Sequence, residues 1–310
     1  MQIRGKNIMI EQNTTNQKLP LSGALFTAFI CILFGSNAVA IKITFEGLGV
    51  FTTAGLRFGL ASIAISLWAL STRKPFKIGK GQFYHLLIIG AIFFVQLSLF
   101  YFGISKTNAS RSTLFVNLQP FFLLVLAHYF ISGDQISKRK LLGILVGFSG
   151  VAFVFLEKKG VTSNFQTGDL IVIAAALIWA CNGVYTKRVI ASFEPFHIVL
   201  YPMMIATPLF FLEAFFLDGI MISEINPRVI LSLLYQAVVS GSFGFIGWVT
   251  MLKKYGAVSL HSFIFIMPIA GVLLGGLVLG EPITAKILLA LLLIVSGIFI
   301  VNLKLVHAPG

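Results

Sequence analysis

Carboxylates are scarce in this chain. Ten Asp and Glu stand against 23 Lys and Arg, and charged residues of both signs make up only 11% of 310 positions. A soluble domain carries a charged shell of about 25% of its residues. With less than half of that shell, the surface has to face lipid. Cysteine is equally rare: Cys31 and Cys181 both lie inside apolar runs, which excludes a disulfide framework and a thiolate metal site. There is no H-E-x-x-H, no G-x-x-x-x-G-K-[ST] and no acidic pair within an apolar run. Zinc-protease chemistry and self-driven ATP hydrolysis are therefore excluded, and neither an enzyme, a cofactor nor a metal is expected.

What is abundant is apolar. Hydrophobic residues reach 57%, with 31 phenylalanines and a mean hydropathy of +0.96. The net charge of +13 does not call for a nucleic-acid partner, because Lys and Arg sit in short clusters between apolar runs and form no basic stripe. Residues 1–20 are polar and read as a cytoplasmic tail. Ala38-Val39-Ala40 resembles a signal-peptidase site, but the same segment recurs in mid-chain, so it is read as part of a mature helix.

A bilayer-crossing helix needs about 20 mostly apolar residues. Such runs fall at 23–41, 50–70, 83–103, 112–131, 141–156, 169–186, 196–216, 229–252, 257–279 and 287–303. They are continuous rather than alternating, which excludes barrel strands. The lipid bilayer is thus the expected environment, and loop charge sets the orientation. An internal N-terminus puts Arg4, Lys6, Lys18, Arg73, Lys74, Lys77, Lys80, Lys138, Arg139, Lys140, Lys187, Arg188, Lys253, Lys254 and Lys304 inside. It leaves Lys42, Lys106, Arg111, Lys158, Lys159, Arg228 and Lys286 outside. The bias places both termini in the cytoplasm of a multi-pass cell-membrane protein. Ten spans, an even number, require the same.

The chain also repeats itself. Residues 23–42 align without gaps to 168–187, sharing Gly23/Gly168, Leu25/Leu170, Asn37/Asn182, Val39/Val184 and Lys42/Lys187. Lys106, Ala109, Phe115 and Pro120 match Lys254, Ala257, Phe263 and Pro268 at one spacing. After a one-residue gap, Gly133-Asp134 matches Gly280-Glu281, and Ser149-Gly150 matches Ser296-Gly297. This divides the chain into a five-helix repeat at 21–156, a linker at 157–167 and a second repeat at 168–304. Five is odd, so the second copy enters the membrane from the opposite face. Inverted repeats are the architecture of many secondary transporters, with substrate near the midplane.

The segments from Pro120 to Gly150 and from Pro268 to Gly297 resemble the two EamA repeats of the drug/metabolite transporter superfamily. The shared pattern is a proline, a small-and-apolar helix, a Gly-acid turn and a last helix with a Ser-Gly pair. Gly35-Ser36-Asn37 and Arg57-Phe58 are similar to features of that family's first repeat. The resemblance covers residues 21–303 and implies ten helices, cytoplasmic termini and movement of a small metabolite. Two positions depart from it: Asp134 stands where Glu is usual, and Pro202 aligns with Arg57.

Polar residues inside the spans are the site candidates. Arg57 is the only unambiguous permanent charge there, and it is costly to insert. It serves as a carbonyl-bonded anchor, snorkels outward, or meets substrate. Asn37 and Asn182, at equivalent positions, either bond between helices or close opposite gates. Pro120 and Pro268 interrupt two spans at matched places, freeing the carbonyls of Val116 and Ile264; Asn117, Gln119 and His261 would then line a cavity. Tyr101, Trp179, Tyr185 and Trp248 are candidates for its aromatic wall, beside Tyr201 and Tyr235. Gln96 and Gln236 are polar enough to favour the interior. Proton coupling is left open. Glu213, Asp169 and Glu281 sit at span edges, and His128, His197 and His261 are the titrating candidates.

These features favour a secondary transporter exporting a small organic metabolite, such as an amino acid or drug-like compound, by alternating access. A sugar-phosphate or nucleotide-sugar exchanger is the alternative, and it would require Arg57, Lys42 or Lys187 to pair with phosphate. A non-transporting receptor or assembly subunit is the alternative from another class.

Overall fold

The computed structural model describes residues 19–131, 136–155, 163–261 and 263–302. Within them the chain is all helical, apart from one isolated antiparallel bridge between Leu48 and Ile222. The Gly133-Asp134 turn and residues 157–162 of the expected linker lie outside the described residues, as does the side chain of His261.

The first repeat contains α1 (Leu21–Gly35), α2 (Asn37–Thr44), α3 (Val50–Ser71), α4 (Lys80–Lys106), α5 (Ala109–Val116), α6 (Gln119–Phe130) and α7 (Lys138–Phe155). The second contains α8 (Ser163–Val189), α9 (Pro195–Leu217), α10 (Pro227–Leu234), α11 (Phe245–His261), α12 (Ile266–Leu279) and α13 (Ala285–Asn302). A π-helical segment, Tyr235–Gly244, joins α10 to α11. Eight stretches among the described residues are long and apolar enough to cross a membrane. The expected fifth span is α7, whose first turn is Lys138, Arg139 and Lys140. The expected ninth falls on the end of α11 and on the 14-residue α12. The break anticipated between spans eight and nine, at residues 253–256, lies inside α11.

Local chemistry sets the helix ends. Asn108 and Asn226 cap α5 and α10 by accepting from the N–H groups of Arg111 and Val229, at 2.9 and 3.0 Å, as short polar caps do. Gly280 closes α12 in the left-handed region at φ 67°, where a side chain would be strained. Two of the apolar spans, Leu21–Thr44 and Ala109–Phe130, carry a local irregularity along their length. Ser36 separates α1 from α2, and Asn117-Leu118 separates α5 from α6. Pro120 stands in the first turn of α6 and Pro268 in the first turn of α12, each just beyond a break. A proline is tolerated there because the first-turn N–H has no helical partner to lose.

One correction concerns the start of the fourth span. The apolar runs place Arg111 in an outer loop and leave Arg57 as the only unambiguous permanent charge within a span. The helix instead begins at Ala109, and Arg111 is 2% exposed. The apolar run starts later than the helix because Ala109–Ser112 is polar yet packs inside the bundle.

The packing exposes the inversion directly. Equivalent helices lie side by side and antiparallel. In α3 and α9, Thr52 meets Asp218 while Phe58 stacks on Phe210. In the equivalent fourth and ninth spans the halves that meet are α5 and α12, where Ser110 faces Gly275 and Thr113 faces Gly271. In α7 and α13, Gly143 meets Val301 and Gly150 meets Ala290. The other contacts come in pairs: α4 packs on α8 as α1 packs on α11 and the π segment, and α6 on α8 as α1 on α12. Only opposed copies of one unit give that pattern.

Lipid tails supply no apolar driving force between helices, so close packing has to. The most extensive pairing, α7 with α13, uses the Ser-Gly motif of each repeat. A Cβ on Gly297 would lie 2.6 Å from the Gly143 carbonyl oxygen, and one on Gly150 would lie 2.9 Å from that of Ala290. Gly297→Ala is expected to destabilise the bundle by about 1–3 kcal/mol, lowering the thermal unfolding midpoint in detergent. Gly219→Ala, which meets nothing within 4 Å, is the matched control and leaves it unchanged.

Candidate functional site

The broken helices and the π segment converge on a polar zone inside the bundle. Arg57, midway along α3, is 7% exposed. Its Nη1 donates to the hydroxyl of the fully buried Tyr101 at 3.0 Å, and its Cζ lies 4.8 Å over the Phe58 ring. Phe58 is itself held by Phe210 at 5.6 Å and Phe93 at 5.1 Å. The Arg57 Nε is buried with no hydrogen-bond partner, and among the described residues no carboxylate forms an ion pair with it. A charge so placed is expensive, and here its compensation is incomplete.

At the break after α1, the Ser36 Oγ pairs with the Tyr235 hydroxyl, which also reaches the Leu33 carbonyl at 3.0 Å. The neighbouring Asn37 Oδ1 is buried and unpartnered. Gln236, fully buried, donates through Nε2 to Thr44 Oγ1 at 2.6 Å, while its Oε1 has no partner. On the second-repeat side, Asn182 Nδ2 donates to Gln96 Oε1 at 3.3 Å, and Thr186 donates to Asn182 Oδ1 at 3.4 Å. Asn117 bonds back to the Thr113 carbonyl at 2.7 Å. Gln119 is half-buried near Gly183.

The aromatic candidates separate. Tyr101 belongs to the buried zone, and Trp248 packs edge-on to Phe34 at 6.2 Å. Tyr185 bonds to His85 Nδ1 at 2.8 Å between α4 and α8. Trp179 is 41% exposed on the bundle surface and does not join the zone. Two residues outside the short list of candidates do join it, Thr44 and Ser36, together with Tyr235. A hydroxyl in an apolar run is a weak signal because it can always bond to its own helix.

A cavity of about 290 Å³ lies beyond this zone at the Lys74 and Lys254 end. Ile65, Trp68, Phe196, Val199, Phe245 and Ile246 line it, with the exposed Lys74, Glu194 and Lys254. Ile65 is eight residues beyond Arg57 on α3, about 12 Å along the helix. At the opposite end, Arg111 forms an ion pair with the buried Asp169, its Nε at 3.0 Å from Oδ2, and Thr107 donates to Asp169 Oδ1 at 2.7 Å. No group of three His, Cys, Asp or Glu suited to a metal occurs among the described residues.

A bundle of two antiparallel repeats, with helices long and apolar enough to cross a membrane around a polar interior, is the architecture of a multi-pass membrane transporter. The chain belongs to the EamA-like transporter family, whose profile matches residues 21–156 and 166–303. It is 27% identical over 279 residues to the probable amino-acid metabolite efflux pump of Escherichia coli (strain K12), covering 87% of this chain and 91% of that one. It is 23% identical over 272 residues to the uncharacterized transporter YoaV of Bacillus subtilis (strain 168), covering 87% and 93%. A solved crystal structure superposes with a TM-score of 0.66 at 17% identity, covering 90% of this chain and 96% of the other, which speaks for the fold alone.

The Arg111 and Asp169 pair generates a stability test. Asp169→Ala leaves a buried guanidinium without its counter-charge, a loss of about 3–5 kcal/mol. The unfolding midpoint in detergent should fall sharply, and the double variant Asp169→Ala with Arg111→Met should recover most of it.

Proposed function

We propose that the protein is a secondary carrier that exports a small organic metabolite of amino-acid-like chemistry by alternating access. Both termini are on the cytoplasmic side of the cell membrane, and substrate binds in the polar zone around Arg57. The observation that carries this reading is the buried, carboxylate-free Arg57 with its unpartnered Nε. An unpaired intramembrane cation is retained where it meets something that is not part of the chain.

The leftover groups have a definite character. One cationic donor on Arg57 stands with two amide acceptors, Asn37 Oδ1 and Gln236 Oε1. A carboxylate and an ammonium group on one small molecule complement that set. Asn117, Gln119, Gln96 and Asn182 are the further polar contacts of this reading, with the Tyr101 hydroxyl holding one end of the guanidinium. A phosphorylated substrate is less well served, because Arg111 is committed to Asp169. The printed name of the Escherichia coli relative, an amino-acid metabolite efflux pump, supports export and this substrate class. The inside bias of Lys and Arg supports the orientation.

Counterflow in proteoliposomes tests the proposal. A panel of amino acids and their derivatives should include at least one that exchanges saturably, and Arg57→Gln should slow that exchange at least about tenfold while the unfolding midpoint is kept. No counterflow by any member would defeat the carrier reading. Equal exchange by the variant would move the site away from Arg57. Impermeant labels on single cysteines near Lys74 and near Lys286 should react from opposite sides of the membrane.

A further inference from the structure

We propose that Asp218 and Glu281 form a latch that holds the bundle shut on the face carrying Lys106 and Lys286. The inference rests on the carrier reading above, because a latch has meaning only where that face also opens.

The geometry is the same twice over. Glu281, just past α12, reaches the start of α5. Its Oε1 accepts from the N–H of Ala109 at 2.6 Å, and its Oε2 accepts from the N–H and the hydroxyl of Ser110 at 2.8 and 2.5 Å. Asp218, just past α9, reaches the start of α3. Its Oδ1 accepts from the N–H of Phe51 at 3.2 Å, and its Oδ2 accepts from the N–H and the hydroxyl of Thr52, both at 2.8 Å. In each case a carboxylate at the end of a second-repeat span holds the beginning of the equivalent first-repeat span.

These contacts are not ordinary caps. A capping side chain comes from the residue before its own helix, and Asn108 already fills that role for α5. Glu281 arrives from the other repeat to take two N–H groups that Asn108 leaves free. The α3 helix has Gly49 at its cap, with no side chain to accept, so among the described residues Asp218 supplies the side-chain acceptor of its first turn. Helix N-termini attract anions through their free N–H groups and their dipole. The satisfaction of both helix starts therefore depends on the two repeats staying together.

The rest of that face agrees. Gly49 N–H donates to the Met221 carbonyl and Ser223 N–H to the Gly47 carbonyl, both at 2.9 Å. Arg228 approaches Glu46 at 3.5 Å. At the Lys74 and Lys254 end the repeats meet through side chains set on carbonyls, His197 on Pro75 at 2.7 Å, Tyr201 on Phe76 at 2.5 Å and Arg188 on Phe130. Among the described residues no carboxylate crosses between repeats there, and the 290 Å³ cavity lies at that end. The bundle is stapled at one end and hollow at the other.

Solvent access from the latched face provides the test. In a full-length background with Cys31→Ala and Cys181→Ala, Thr113→Cys places a reporter one turn behind Ser110, where Thr113 is buried against Gly271. A membrane-impermeant maleimide applied from the Lys106 and Lys286 face should label this reporter slowly. Adding Asp218→Asn and Glu281→Gln should raise the rate at least about tenfold, because charged acceptors give the stronger hydrogen bonds. Reagent applied from the other face should show no such rise. An unchanged rate from the latched face, or an equal rise from both faces, overturns the latch. Should the double variant fail to fold, Ser110→Ala and Thr52→Ala each remove one of the bonds, and each should raise the rate a few-fold; no change there also overturns it. The readout needs no substrate, so its failure is distinct from an absence of counterflow.

Discussion

Lipid offers no hydrogen bonds, and this single constraint organises the molecule. Every polar group placed inside the bundle must find its partner within the chain. Most do so locally: Thr27, Thr44, Thr53, Ser62 and Thr207 each return a hydroxyl to the carbonyl four residues earlier. The charged Arg111 is met by Asp169 and Thr107. Helix starts that cannot be satisfied within a repeat are satisfied across repeats. Six buried side-chain atoms among the described residues lack a partner: those of Ser112, Arg139 and His197 are scattered, and those of Arg57, Asn37 and Gln236 belong to the polar zone. The same constraint that builds the fold is the ground on which the polar zone is proposed as the binding place.

Much of the architecture was legible in the residues, because membrane insertion and duplication both leave one-dimensional traces. Continuous apolar runs located the helices, and the matched Asn37/Asn182 and Pro120/Pro268 located the repeat. Boundaries were less legible. Ala109–Ser112 is too polar to read as a span, yet it folds into α5 because its partners, Asp169 and Glu281, come from distant parts of the chain. No local pattern carries that information. Within the polar zone, amides and the lone arginine were visible as anomalies in apolar sequence. Ser36 and Thr44 were not singled out as site residues, since a hydroxyl in a helix is unremarkable until its neighbour is known. Trp179 illustrates the converse: an aromatic in a span is equally at home against lipid, and only packing decides.

The structure divides its labour between two kinds of contact. Along α7 and α13, backbones touch through Gly143, Gly147, Gly150 and Gly297. Such contacts are short-ranged and have no second arrangement of similar quality, so this pair is suited to a fixed spine. The contacts of α3 with α9 and of α5 with α12 include carboxylates set on helix starts. In the latch proposed above, those are the contacts that water replaces when that end of the bundle opens. On that proposal, rigid and releasable surfaces sit on different helix pairs of one repeat design.

The first helical span carries an irregular residue at Ser36, whereas α8, its counterpart in the second repeat, is one regular helix through Cys181 and Asn182. A perfectly two-fold carrier would rest with equal ease in either of its two shapes, as a balanced see-saw does. In the carrier proposed above, the two arms differ, and its two shapes then differ in free energy. Such a carrier has a preferred posture when empty, and its passenger has to be bound more tightly in the other one to tip it.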